Sequence, residues 1–238
     1  HANYPGCTSI EGNLTIDPQG GNITNLNALN GLTSISGNLL IYNSTALVNL
    51  NGLSTLTAIG GDLNIYYNAA LTSLSGLNSL TSVGGAVRIG ESGFYANQAL
   101  TSLSGLGSLT TVGGWITISN NLVLQNLTGL GSLTTVGGRL SISSNPVLQN
   151  LNGLGNLNAV EMFFVYDNQK LTSLAGLTSL SSVQQDIRII ENPILADLGA
   201  LEHLTVCNGY LDIVGNTALT SLNALQNFSL LNFGFRIA

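Results

Sequence analysis

Apolar residues recur along this chain in two alternating patterns, with a repeat of about 24 residues that runs from Cys7 to the last residue. The first pattern is an apolar pair around one variable residue. It occurs in Leu14-Thr-Ile16, Leu39-Leu-Ile41, Leu63-Asn-Ile65, Val87-Arg-Ile89, Ile116-Thr-Ile118, Leu140-Ser-Ile142, Phe163-Phe-Val165, Ile187-Arg-Ile189, Leu211-Asp-Ile213 and Phe235-Arg-Ile237. A period of two is the mark of a half-buried strand, so each repeat contributes one short strand whose middle residue faces outward. The second pattern places an apolar residue at every third position, as in Leu71, Leu74, Leu77, Leu80 and Val83. That spacing suits 3₁₀-like turns or a polygonal β-coil, and predicts little α-helix, whose buried face needs steps of three and four.

A unit of this size has too little apolar surface to fold alone, so neighbouring units must stack and share one core. The prediction is a mainly β, single-domain β-solenoid over residues 1–238, of about ten coils with one parallel sheet of short strands. At ~4.8 Å between strands the sheet extends roughly 43 Å. The pairs Gly60-Gly61, Gly84-Gly85, Gly113-Gly114 and Gly137-Gly138 precede strands and predict tight corners with positive φ. Val160-Glu161-Met162 replaces one such corner with one residue fewer, which predicts a local irregularity. A row of asparagines (Asn68, Asn97, Asn121, Asn145, Asn168, Asn192 and Asn216) offers a donor and an acceptor at the same corner of successive coils, and reads as a stability device. The segment from Gly90 to Ala96 is about five residues longer than its equivalents and predicts a projecting loop.

Composition narrows the functional classes. Charged residues make up only 7% of the chain and the net charge is -6, which opposes binding to nucleic acid or to anionic membranes. No apolar run approaches the ~18 residues that would span a bilayer, so membrane insertion is not expected. The chain begins at His1 without Met, as a mature product after signal removal or a cut segment does, and secretion to the cell exterior is the preferred reading. Sequons at Asn13, Asn22, Asn43, Asn126 and Asn227 are compatible with that reading but, in a chain rich in Asn, Ser and Thr, carry little weight.

Candidate chemistry is sparse. Cys7 and Cys207 lie eight coils apart, roughly 38 Å at ~4.8 Å per coil, and cannot pair within one molecule; both occupy apolar repeat positions and read as buried core thiols. Asp62, Asp186 and Asp212 read as solvated carboxylates, and no metal-ligand spacing, phosphate-cradling loop or nucleophile–base arrangement appears. The expectation is a non-enzyme without metal or cofactor. Aromatic placement is more informative. Tyr42 and Tyr66 share one position in adjacent coils, Tyr67 follows, and Phe94 and Tyr95 lie on the loop. With Arg88 from the strand face and Trp115 and Phe164 extending the surface, these residues form the candidate ligand-binding patch.

The opening Cys7-Thr-Ser-Ile-Glu-Gly-Asn-Leu-Thr-Ile16, followed by repeated Leu-Thr-x-Val/Ile-x-Gly-x-Leu-x-Ile, resembles the receptor L domain, a relative of leucine-rich repeats. The uniformity of the repeats is closest to secreted microbial examples. The resemblance implies a right-handed solenoid that binds proteins or glycans outside the cell, without enzymatic activity. It does not carry over receptor signalling. The leading expectation is therefore an extracellular recognition or adhesion module that uses its strand face and loop. A second reading is a structural subunit that polymerises end to end, because the last strand, Phe235-Arg-Ile237, has no visible cap. A third is ice binding through the row Thr33, Thr57, Thr81, Thr110, Thr134 and Thr205, which Asn158 and Ser181 interrupt.

Overall fold

A computed structural model describes residues 6–19, 22–91, 96–231 and 234–238. Two parallel ten-stranded sheets run the length of the molecule, each formed by one strand from every coil in chain order, about nine turns in all. The wide sheet contains the strands Leu14–Ile16, Leu39–Tyr42, Leu63–Tyr66, Val87–Ile89, Ile116–Ser119, Arg139–Ser143, Met162–Tyr166, Ile187–Ile190, Tyr210–Val214 and Gly234–Ile237. Each contains or overlaps one apolar-x-apolar triplet. The register is one coil per step, as in Ile116 opposite Leu140 and Leu140 opposite Phe163.

The narrow sheet was not expected. Its strands are two residues long, from Ser9–Ile10 through Ser34–Ile35 and Thr111–Val112 to Leu230–Leu231. A strand of two residues points one side chain inward and one outward, so it leaves no alternation to read. Here Ile35, Ile59, Val83, Val112 and Val136 point inward and are almost wholly buried. Between the sheets the three-residue period holds: Leu71, Leu74, Leu77 and Leu80 are completely buried, and single 3₁₀ turns such as Asn51–Leu53 and Thr128–Leu130 carry the chain around. Among the described residues there is no α-helix.

The asparagine row is a continuous ladder. Asn121 Nδ2 donates to the carbonyls of Ile89 (3.1 Å) and Ser119 (3.1 Å), while its backbone N–H donates to Oδ1 of Asn145 (3.1 Å). Asn68, Asn145, Asn168 and Asn192 repeat that arrangement, and Ser44 occupies the position before them, its N–H donating to Asn68 Oδ1. The residue before the ladder is left-handed in coil after coil, with φ of 59° at Tyr67, 53° at Ser144 and 57° at Glu191. Non-glycine residues rarely adopt this conformation, and the ladder bonds on either side hold it here.

The Gly-Gly pairs have a different cause from the one expected. Their φ angles are not positive; positive values fall on other glycines, among them Gly76, Gly105, Gly153 and Gly176, at the Gly-Leu step after the asparagine corner. Glycine is needed at the pairs because successive coils touch there. A Cβ on Gly84 would stand 2.3 Å from the Gly60 carbonyl oxygen, and one on Gly113 would stand 2.2 Å from that of Gly84. At Val160-Glu161-Met162 the missing residue is absorbed in the corner: both sheets keep their register across it, with Thr135 opposite Ala159 and Arg139 opposite Met162. Cys207 is a buried thiol as expected, but Cys7 is exposed, because no described coil lies outside it to cover it. The expected loop falls largely on residues 92–95, outside the described residues.

Candidate recognition face

Every wide-sheet strand shows alternate side chains to the exterior, which arranges the outer face in three columns that run along the molecule. The middle column contains Asn64, Arg88, Thr117, Ser141, Phe164, Arg188, Asp212 and Arg236. The column before it contains Trp115, Arg139, Met162 and Asp186, and the column after it contains Tyr42, Tyr66 and Tyr166.

Among the described residues, stacking these columns brings rings together in two places. Tyr42 and Tyr66 lie with ring centroids 5.1 Å apart and Tyr42 and Tyr67 5.8 Å apart, at the N-terminal end of the face. Phe94 and Tyr95 lie outside the described residues. Farther along, Arg88 stands 4.8 Å over the Trp115 ring, Arg139 lies between Trp115 (6.0 Å) and Phe164 (5.5 Å), and Arg188 covers Phe164 from the other side at 5.2 Å. These are cation–π distances, on a face where rings and cations alternate coil by coil. Phe164 is only 8% exposed as a result. It is the platform under Arg139 and Arg188, not a surface that a ligand could stack on.

Ion pairs finish the row unevenly. Arg188 bonds Asp186 (2.9 Å) and lies 3.8 Å from Asp212, Arg236 lies 3.4 Å from Asp212, and Arg88 donates to Asn64 Oδ1 (2.9 Å) with Glu91 at 3.9 Å. Arg139 forms no ion pair among the described residues, and its Nε is buried without a hydrogen-bond partner. Partial burial raises the Tyr166 pKa, and the charge of the adjacent Arg188 pulls the other way. Burial lowers the Arg188 pKa, but the bond to Asp186, its charge and the adjacent Tyr166 together outweigh it and the net shift is upward. Arg188 therefore stays charged throughout the ordinary pH range.

The aspartates are less free than solvated carboxylates. Asp62 Oδ1 accepts the Ala86 N–H (2.8 Å) and Asp186 Oδ1 accepts the Tyr210 N–H (2.9 Å), a corner ladder that Asn13 and Asn38 begin. No group of three or more metal-ligating side chains occurs among the described residues. Of the residues singled out in the sequence, Arg88, Trp115 and Phe164 come together, while Tyr42, Tyr66 and Tyr67 form their own group. Arg139, Arg188 and Tyr166 were missed. Arg139 falls one residue before its apolar triplet, but aligning the triplets would have placed it directly beside Trp115.

The family model described as Receptor L domain matches residues 6–89, a little over a third of the chain. That stretch is thus similar to a ligand-binding or recognition module of a typically extracellular kind. No curated protein matches the chain. Among the described residues no helix is long and apolar enough to cross a membrane.

Proposed function

We propose that the protein is an extracellular, non-enzymatic recognition or adhesion module that engages a protein or glycan through the outer face of its wide sheet. The observation that carries this reading is the concentration of arginine on that face. Four of the five Lys and Arg residues of an acidic chain lie there, interleaved with aromatic rings. Aromatic and arginine side chains are the residues that most often anchor interfaces. The similarity of residues 6–89 to a recognition module supports the same reading. Binding to a panel of immobilised extracellular glycans and protein ectodomains tests it: Trp115→Ala and Tyr66→Ala should each weaken capture tenfold or more, and Thr134→Ala, just before the narrow-sheet strand Thr135–Val136, should not. Equal capture by all the variants would refute it.

For ice binding, the threonine row has a structural explanation of its own, since Thr57, Thr81, Thr110 and Thr134 each donate to the carbonyl of the preceding threonine.

A further inference from the structure

We infer that the wide-sheet face takes an extended acidic polysaccharide, with one of its carboxylates seated on the guanidinium of Arg139. This rests on the wide sheet being the recognition face and adds the class of ligand. Arg139 is the member of the row whose charge is not already neutralised. Arg88, Arg188 and Arg236 each have a carboxylate within ion-pair distance, whereas Arg139 has Trp115 and Phe164 against it and none of the described acids. Its Nε is buried and makes no hydrogen bond. A guanidinium fixed by rings and lacking a counter-ion is preorganised for an incoming carboxylate, because little side-chain freedom remains to be lost on binding.

Spacing selects the kind of anion. Arginines recur at every second coil (Arg88, Arg139, Arg188 and Arg236), which at ~4.8 Å per coil places guanidiniums roughly 10 Å apart along the axis; Arg139 stands one column before the other three, whose own carboxylate partners further ligand carboxylates would have to displace. A β-linked pyranose advances its chain by about one coil, so a polysaccharide with an acid on alternate sugars presents carboxylates in step with this row. A nucleic acid strand carries a charge every ~3.4 Å, out of step with an arginine at every second coil. An extended peptide shows same-side residues every ~6.6 Å, out of step with the arginines. The neighbouring outward groups, Asn64, Thr117 and Ser143, supply the hydroxyl and carboxamide partners that sugar hydroxyls need.

Titration calorimetry with a hyaluronan octasaccharide, which carries a carboxylate on alternate sugars, tests this on the intact chain. The acidic octasaccharide should bind at least tenfold more tightly than its carboxyl-reduced, neutral form, and more weakly as salt rises from 50 to 200 mM. Arg139→Gln should lower affinity at least tenfold and Arg139→Lys should lower it less. Lys170→Gln, which removes the cation outside the wide-sheet face, should leave affinity unchanged. An unchanged circular dichroism spectrum and melting temperature in Arg139→Gln would show that the loss lies in binding. Equal affinity for the neutral form, full affinity in a folded Arg139→Gln variant, or tighter binding of an alternating Glu-Ser peptide would each overturn the inference. Failure to bind the octasaccharide while a protein ectodomain is captured through Trp115 would overturn the ligand class and leave the recognition face standing.

Discussion

The two sheets are built from the same coils, share one core and present opposite kinds of surface. On the narrow sheet the outward residues are Ser34, Ala58, Ser82, Thr111, Thr135, Ala159, Ser182 and Val206: small, without charge and nearly interchangeable. On the wide sheet the equivalent positions hold arginine, aspartate, tryptophan, phenylalanine and tyrosine. Stacking constrains the narrow side, where the Thr33, Thr57 and Thr81 hydroxyls close hydrogen bonds onto the coil before and glycines meet carbonyls at the corner. Side-chain pairs such as Arg88 with Asn64 and Arg236 with Asp212 link the middle column of the wide sheet between coils, yet its residues differ in chemistry from coil to coil. The difference separates residues that hold the rod together from the more varied residues on which the proposed recognition rests.

The largest effect should come from the scaffold. Asn121→Leu removes the donor to the Ile89 and Ser119 carbonyls and to Asn145 Oδ1, and the acceptor of the Asn97 Nδ2 bond, in the core of the ladder. Each buried group left unpaired costs about 1–3 kcal/mol. Chemical denaturation should show a lowered midpoint of at least that size, and an unchanged midpoint would contradict the ladder.

Next is a pair of glycines that look alike in sequence. Gly84→Ala drives a Cβ against the Gly60 carbonyl and should destabilise by about 1–3 kcal/mol, as overpacking does. At Gly138 the nearest atoms are 3.5 Å away, so Gly138→Ala should be neutral, or stabilising by up to about 1 kcal/mol through the unfolded state. Melting temperatures of the two variants decide it. If both fall alike, the close approach of coils is not the reason for the pairs.

These glycines also show how much of the molecule was legible beforehand. The ten wide-sheet strands, the stacking order and the ladder asparagines could be read because each leaves a periodic mark in one dimension. The narrow sheet could not, since Ser82-Val83 or Thr111-Val112 is too short to alternate. Positive φ was placed on the wrong glycines because flexibility and lack of a side chain leave the same letter in a sequence. The site was half legible: Arg88, Trp115 and Phe164 were found as single residues. Their relation through Arg139 and Arg188 exists only between coils, and Phe164 was taken as exposed because nothing within its own strand reveals the two guanidiniums above it.

Smaller effects sharpen the contrast between the faces. Thr134→Ala deletes one exposed hydrogen bond to the Thr110 carbonyl (3.1 Å) and should cost at most about 1 kcal/mol. Its measured unfolding energy should be close to that of the unaltered chain, and a loss of several kcal/mol would mean that the hydroxyl row carries far more than stacking bonds. The cysteines should differ in reactivity with little effect on stability. Burial raises the Cys207 thiol pKa, so less of it is thiolate at neutral pH, while Cys7 is exposed. Maleimide should therefore label one thiol in the native protein and two in denaturant; two fast labels under native conditions would show that the core opens.

The central claim is that recognition belongs to the wide sheet and structure to the narrow one. A matched pair of added charges tests it most directly: Thr117→Glu, in the middle column between Arg88 and Ser141, and Thr111→Glu, on the outer face of the narrow sheet. Both variants should be folded by circular dichroism, and both should be measured against whichever immobilised extracellular glycan or ectodomain captures the unaltered chain. The account predicts at least a tenfold loss of capture for Thr117→Glu and none for Thr111→Glu; loss confined to Thr111→Glu would contradict it.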